Sequence, residues 1–132
     1  SKSNLAKIVT IFLVPPSKEV VLQRLEERSL EFAIRVRDFV KTTPKSISNN
    51  VYARQLIRSS SSIGANYIEA NDSLGSKDKL MRIRICKKEA KETVYWLKLI
   101  EGTEIEQQKL LKEAGELLLI LGAIYKKLDT PL

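Results

Sequence analysis

A row of basic side chains follows one edge of the third amphipathic segment of the chain. Its members are Lys77, Arg84, Lys88, Lys91, Tyr95 and Lys98, which we call the basic ridge. Residues three or four apart lie on the same side of an α-helix, so these side chains would form one continuous edge. Cationic groups in a row bind phosphates, and we predict that the five Lys and Arg residues contact nucleic acid. A solvated helix face without a ligand is the alternative interpretation.

The positive charge of the chain is concentrated on this segment. The 132 residues include 23 basic and 16 acidic side chains, which gives a formal net charge of +7. Residues 77–98 alone contain eight Lys or Arg and three acids, a surplus of five. Such an excess favours acidic partners, which are nucleic acid or an anionic membrane surface.

The residue types that most enzymes and metal sites require are missing. There is no histidine, so the commonest general base and the commonest zinc ligand are absent. The single cysteine, Cys86, cannot form an internal disulfide or a thiolate cluster, and it is typical of a reducing, cytoplasmic location. No glycine-rich phosphate loop is present. We therefore predict a protein without catalytic residues, cofactor or metal.

Two pairs of glutamates have the spacing of carboxylate ligands in bundles that hold two metal ions. Glu89 and Glu92 lie three residues apart, as do Glu113 and Glu116. The metal-binding bundles combine such glutamates with histidine, which this chain lacks. We favour salt bridges on the helix surface, for example between Glu92 and Lys88.

Four consecutive serines at residues 59–62 follow Arg58. Their hydroxyls and the guanidinium could bind a phosphate. Because Gly64 and Ala65 come next, we favour a strip of small side chains that lets a neighbouring helix approach closely. Serine is tolerated inside a helix when its hydroxyl bonds back to the preceding turn.

Apolar residues recur at steps of three and four in four segments after residue 17, which predicts four helices. Short connectors near residues 42–44, 75 and 102 separate them. The predicted N-terminal caps are Ser46 or Ser48 for the second helix, Ser76 for the third, and Thr103, in a capping box with Glu106, for the fourth. Outside the third segment, the predicted core positions are Leu22, Leu25, Phe32, Val36, Phe39, Leu56, Ile63, Tyr67, Ala70, Leu74, Leu110, Ala114, Leu117, Leu121, Ile124 and Leu128. Long helices with short connectors pack as antiparallel neighbours, so we predict an all-α fold, an up-down-up-down four-helix bundle.

The bundle is predicted to occupy residues 18–132 as one domain, preceded by a short N-terminal extension at residues 1–17. Within the extension, Ile8 to Val14 is an apolar run that is followed by Pro15 and Pro16. We expect this run to dock on an apolar groove of its own subunit or of a neighbour, since an exposed run would promote aggregation. No stretch is long and apolar enough to span a bilayer, so a membrane is not an expected partner.

The third segment carries two apolar faces, which a single neighbouring helix cannot cover. The first consists of Leu80, Ile83, Ala90, Val94 and Leu97 and has the spacing of a core-facing stripe. The second lies roughly 140 to 180° away on a helical wheel. It consists of Met81, Ile85, Trp96 and Leu99. We predict that this second face is the interface with another copy of the chain.

Three stretches of the sequence resemble a known family. They are residues 25–33 (LEERSLEFA), 55–70 (QLIRSSSSIGANYIEA) and 87–97 (KKEAKETVYWL). These stretches resemble the four-helix-bundle proteins encoded in intervening sequences of bacterial 23S ribosomal RNA genes, and the resemblance covers about residues 20–128. Its most specific part is the small-residue run that leads into residues 64–66 (GAN), with Glu69 after it, combined with the Glu-Ala pattern at residues 89–90 and the Tyr-Trp-Leu pattern at residues 95–97.

The resemblance implies an antiparallel bundle that assembles as a ring, a homopentamer, with no known enzymatic activity. A related group, the accessory proteins of diversity-generating retroelements, forms basic pentamers that bind nucleic acid and a reverse transcriptase. The leading hypothesis is therefore a cytoplasmic, non-enzymatic homo-oligomer that binds RNA or DNA through phosphate contacts, with a reverse transcriptase as a candidate partner by analogy. The alternatives are an adaptor that binds acidic proteins without a nucleic-acid role, and a protein that binds at a membrane surface.

Overall fold

The computed structural model describes residue 15 and residues 17–130, which form four α-helices in series. The helices are α1 (Lys18–Thr42), α2 (Ile47–Asn71), α3 (Ser76–Leu99) and α4 (Glu104–Asp129). Each helix packs against the next, and α1 also contacts α4, which closes an antiparallel bundle. This part of the chain contains no β-strand. The predicted all-α bundle is confirmed, while the apolar run from Ile8 to Val14 lies outside the described residues.

The core contains the residues that the spacing of three and four places on one side of each helix. Buried side chains at predicted positions include Phe32 of α1, Leu56 of α2, Ile83 of α3 and Leu117 of α4. Leu74 was also predicted to be in the core, but it is fully exposed. The reason is that α2 ends at Asn71, so Leu74 lies in the connection to α3 and no longer follows the helical spacing. The core prediction is also wrong for Leu128, which lies in the last turn of α4 and is 38% exposed.

The helix starts confirm one predicted cap and correct two others. Ser46 precedes α2, and its side chain accepts a hydrogen bond from the first turn, as predicted. Gly75, rather than Ser76, is the N-cap of α3, and it has no side chain to accept a hydrogen bond. Thr103 precedes α4 but makes no side-chain cap hydrogen bond, so the predicted capping box with Glu106 does not form.

A buried asparagine joins the two connections at one end of the bundle. Asn49 Nδ2 donates to the carbonyl oxygens of Pro44 at 2.7 Å and Glu101 at 2.8 Å. Its Oδ1 accepts from the backbone N–H of Glu101 at 3.0 Å. At the same end, a Cβ atom on Gly102 would lie 2.7 Å from the ring of Phe39. Hydrogen bonds and close packing therefore hold the α1–α2 and α3–α4 connections together.

The seam between α1 and α4 is held by one arginine and two glutamates. Arg28 Nε donates to Glu113 at 2.8 Å, and Arg28 Nη2 donates to Glu113 and Glu116 at 2.6 Å each. The hydrogen bond from Arg28 is the largest cause that lowers the pKa of the Glu113 carboxyl below its usual range. The pair Glu113 and Glu116 therefore forms salt bridges, as favoured from the sequence.

Replacing Asn49 by alanine should lower the free energy of unfolding by about 2 to 3 kcal/mol, because three hydrogen bonds from this buried side chain to the backbone of both connections would be lost. Urea denaturation followed by circular dichroism measures this change. The matched control is Asn50→Ala, which removes an exposed amide from the same turn and should cost less than about 0.5 kcal/mol. Equal losses in the two variants would contradict the role of Asn49.

Replacing Glu113 by glutamine should weaken the dependence of stability on acidic pH. Because Arg28 lowers the pKa of Glu113 in the folded state, its carboxylate stabilises the fold above the unfolded pKa of about 4.3. This contribution is lost as the pH falls through the lower folded pKa. The parent should therefore lose more stability than the variant between about pH 5 and pH 3, measured by urea denaturation. Arg28→Gln should reduce the same dependence, and an unchanged slope in both variants would show the assignment to be wrong.

Candidate nucleic-acid interface

The basic ridge lies on the outer surface of α3. All six of its side chains are exposed: Lys77, Arg84, Lys88, Lys91, Tyr95 and Lys98. None of the five cations forms an ion pair with another residue in the described range of the chain. The helix therefore presents a strip of positive charge that is open to a ligand.

Two of the three acidic residues of α3, Glu89 and Glu92, are paired with Arg58 of α2, while the third, Asp78, is exposed in the first turn beside Lys77. Arg58 Nη1 lies 3.0 Å from Glu89 Oε2, and Arg58 Nη2 lies 2.7 Å from Glu92 Oε2. These contacts raise the pKa of Arg58, with the hydrogen bond to Glu92 as the largest cause. The predicted surface pair of Glu92 with Lys88 is therefore wrong: a guanidinium on the adjacent helix can bond to both carboxylates at once, which a lysine on the same helix cannot.

The serine run packs α2 closely against its neighbours. The four hydroxyls of residues 59–62 all lie within hydrogen-bond distance of carbonyl oxygens in the preceding turn. The Ser59 hydroxyl lies 2.9 Å from that of Thr93 on α3, and a Cβ atom on Gly64 would lie 3.2 Å from Ser29 Cβ on α1. With Arg58 occupied by glutamates, this geometry supports close packing rather than a phosphate site.

The second apolar face of α3 is divided between its own bundle and solvent. Met81 and Leu99 are 52% and 37% exposed. Ile85 and Trp96 are half-buried, and Trp96 stacks on Tyr52 of α2 with ring centroids 6.3 Å apart. Trp96 therefore already has a neighbour within the protomer. Met81 and Leu99 remain as the open members of the predicted interface, separated by roughly 27 Å of helix.

A second exposed apolar surface, which the sequence analysis missed, lies across α1 and α2. It consists of Leu30, Ile34, Ile57 and Ile68, each between 39% and 62% exposed. We call it the α1–α2 patch. A Cβ atom on Gly64 would lie 3.9 Å from the backbone nitrogen of Leu30, so α1 and α2 approach each other closely beside this patch. A signal in the sequence could have indicated the α2 part of this patch. Residues 57, 61, 65 and 68 follow one another at steps of four, four and three, and none of them is charged.

The remaining chemical groups give little support to catalysis. Cys86 is fully buried, and burial raises the pKa of its thiol to about 12, so the nucleophilic thiolate is not formed at neutral pH. No cluster of three or more potential metal ligands occurs among the residues that the structure describes. None of the described helices combines the length and apolar content that crossing a bilayer requires.

Comparisons with known proteins agree with this architecture. A model of the family described as 23S rRNA-intervening sequence protein matches residues 23–126. Among solved structures, the chain is similar to a protein of unknown function from the S23 ribosomal protein family of Bacteroides thetaiotaomicron VPI-5482. The two share 31% sequence identity with a TM-score of 0.69, over 80% of this chain and 97% of that chain. No curated protein matches the chain. Since the family model spans most of all four helices, the chain belongs to the 23S rRNA-intervening sequence protein family.

Proposed function

We propose that the protein is a non-enzymatic, cytoplasmic homo-oligomer that binds RNA or DNA through phosphate contacts. The observation that carries this proposal is the separation of charge on α3. Glu89 and Glu92 are held by Arg58, while the five cations of the basic ridge are exposed and form no ion pair within the described residues. Phosphates of a polyanion would meet Lys88, Lys91 and Lys98 without repulsion from Glu89 and Glu92, and the third acid of α3, Asp78, lies at the other end of the helix beside Lys77.

Contacts of this type are largely independent of base sequence, because lysine and arginine side chains bind the phosphate oxygens. Each phosphate contact releases condensed counterions, so the affinity should fall steeply as salt is added. A single ridge provides few contacts, but an oligomer presents several ridges to one polymer and multiplies the affinity.

The exposed apolar side chains support self-association. Met81 and Leu99 on α3, together with the α1–α2 patch, expose large hydrophobic groups that a second copy of the chain could cover. The family resemblance makes a pentamer the expected assembly. The α1–α2 patch also suits the alternative function, an adaptor that binds another protein, and a reverse transcriptase is a candidate partner by analogy with the related group.

The first test reverses the charge of the ridge. A variant with Arg84→Glu, Lys88→Glu and Lys91→Glu should lose binding to a labelled RNA or DNA oligonucleotide in fluorescence anisotropy, with an unchanged circular dichroism spectrum. The matched control carries Lys45→Glu, Lys109→Glu and Lys112→Glu, which make the same change in net charge at exposed positions outside the ridge. If both variants bind like the parent, or if both lose affinity equally, the ridge is not the site.

The second test concerns assembly. Light scattering of the parent should give about five times the 15.0 kDa mass of one chain. The pair Met81→Glu and Leu99→Glu should lower this mass, because burying a carboxylate in a subunit interface is unfavourable. The comparison pair, Leu30→Glu and Ile68→Glu, changes the α1–α2 patch. A monomeric parent would refute the assembly, and a loss of mass only in the comparison pair would move the interface to the α1–α2 patch.

A further inference from the structure

An exposed aromatic ring lies within the row of cations. Tyr95 is 58% exposed and belongs to the basic ridge. Lys91 precedes it by four residues and Lys98 follows it by three, so both lysines lie one turn away on the same side of α3. A tyrosine between cations provides a flat surface for stacking next to groups that bind phosphate.

Aromatic contacts fix the position of Tyr95. Its ring meets that of Trp96 edge to face, with centroids 5.2 Å apart and planes at 74°. Trp96 in turn stacks on Tyr52 of α2 at 6.3 Å. The chain of three rings anchors Tyr95 on the bundle, so a ligand that stacks on it would not have to immobilise a loose side chain.

A second aromatic residue lies near the other end of the ridge. Lys77, Met81, Arg84 and Tyr125 are among the residues that line a shallow cavity of about 670 Å³ between α3 and α4. The Lys87 ammonium lies 4.6 Å from the centre of the Tyr125 ring, a cation–π contact that holds the ring in place. The cavity lies roughly 20 Å along α3 from Tyr95. Because the carboxylate of Asp78 and the predicted interface residue Met81 also line it, the ligand site proposed below is confined to Tyr95 and the cations beside it.

Building on the proposed function, we propose that the ligand is single-stranded nucleic acid, with an unpaired base stacked on Tyr95 and phosphates bound by the ridge cations. Single strands expose the faces of their bases, and stacking on aromatic side chains is the common way in which proteins bind them. In a duplex these faces are covered by neighbouring base pairs. Tyr95 would then add nothing to duplex binding.

The test compares a labelled 20-nucleotide RNA of mixed sequence with the same RNA annealed to its complement, in fluorescence anisotropy at one salt concentration. Tyr95→Ala should lower the affinity for the single strand by about fivefold or more, the lower end of the effect of losing one stacked base. Its affinity for the duplex should be unchanged. Tyr95→Phe keeps the ring and should bind the single strand like the parent. Tyr95→Leu keeps apolar bulk without the ring and should behave like the alanine variant.

The outcomes separate this inference from the proposed function. If the parent binds neither probe, both proposals fail. If the parent binds and the reversal of Arg84, Lys88 and Lys91 abolishes binding, the phosphate-binding function stands. The single-strand inference is then overturned if Tyr95→Ala binds both probes like the parent, or if it weakens both equally. Thermal denaturation of each Tyr95 variant checks that the exposed substitution leaves the bundle intact.

Discussion

Two arginines, each shared by two glutamates of the adjacent helix, determine where charge lies on this protein. Arg58 of α2 is paired with Glu89 and Glu92 of α3, and Arg28 of α1 with Glu113 and Glu116 of α4. Hydrogen bonds between ionised groups are short and strong, although partial exposure reduces their net contribution to stability. By pairing with Glu89 and Glu92, Arg58 neutralises the two acids nearest to the ridge cations Lys88, Lys91 and Lys98.

The charge separation depends in turn on how closely the helices approach. Small side chains at residues 59–62 and Gly64 let α2 lie near both α1 and α3. Close approach allows the guanidinium of Arg58, which leaves the same helix as the serines, to reach both carboxylates of α3. Bulky residues in this strip would move the helices apart and lengthen these contacts. The packing of small residues and the electrostatics of the basic ridge are therefore parts of one arrangement.

The fold and the ridge could be predicted from the sequence because both depend on helical periodicity. Phe32, Ile83 and Leu117 are buried where their spacing predicts, and Lys88 and Lys91 are exposed for the same reason. The helical spacing of one segment does not tell which residues of another helix lie beside it. A helical wheel gives the direction of Trp96, but not that Tyr52 lies beside it.

The same limit explains the other differences between expectation and structure. Glu92 has Lys88 within reach on its own helix, yet it pairs with Arg58 from another. Leu74 continues the spacing of α2 in the sequence, but the helix has already ended at Asn71. The α1–α2 patch combines exposed residues of two helices, and the spacing within one helix does not tell which residues of another helix lie near it. Each of these features depends on tertiary contacts that one segment of sequence does not encode alone.

The hydrogen bonds of Asn49 also affect the conformational entropy that the proposed binding of a ligand to α3 would cost. Glu101, which Asn49 binds through both its N–H and its carbonyl group, follows the end of α3 by two residues. The last turns of this helix, which carry Tyr95 and Lys98, are thus restrained before any partner arrives. Helix ends commonly fray, and a frayed end must be ordered at the expense of affinity when it binds. Here the scaffold is preorganised at the end of α3 where the aromatic and cationic groups stand together.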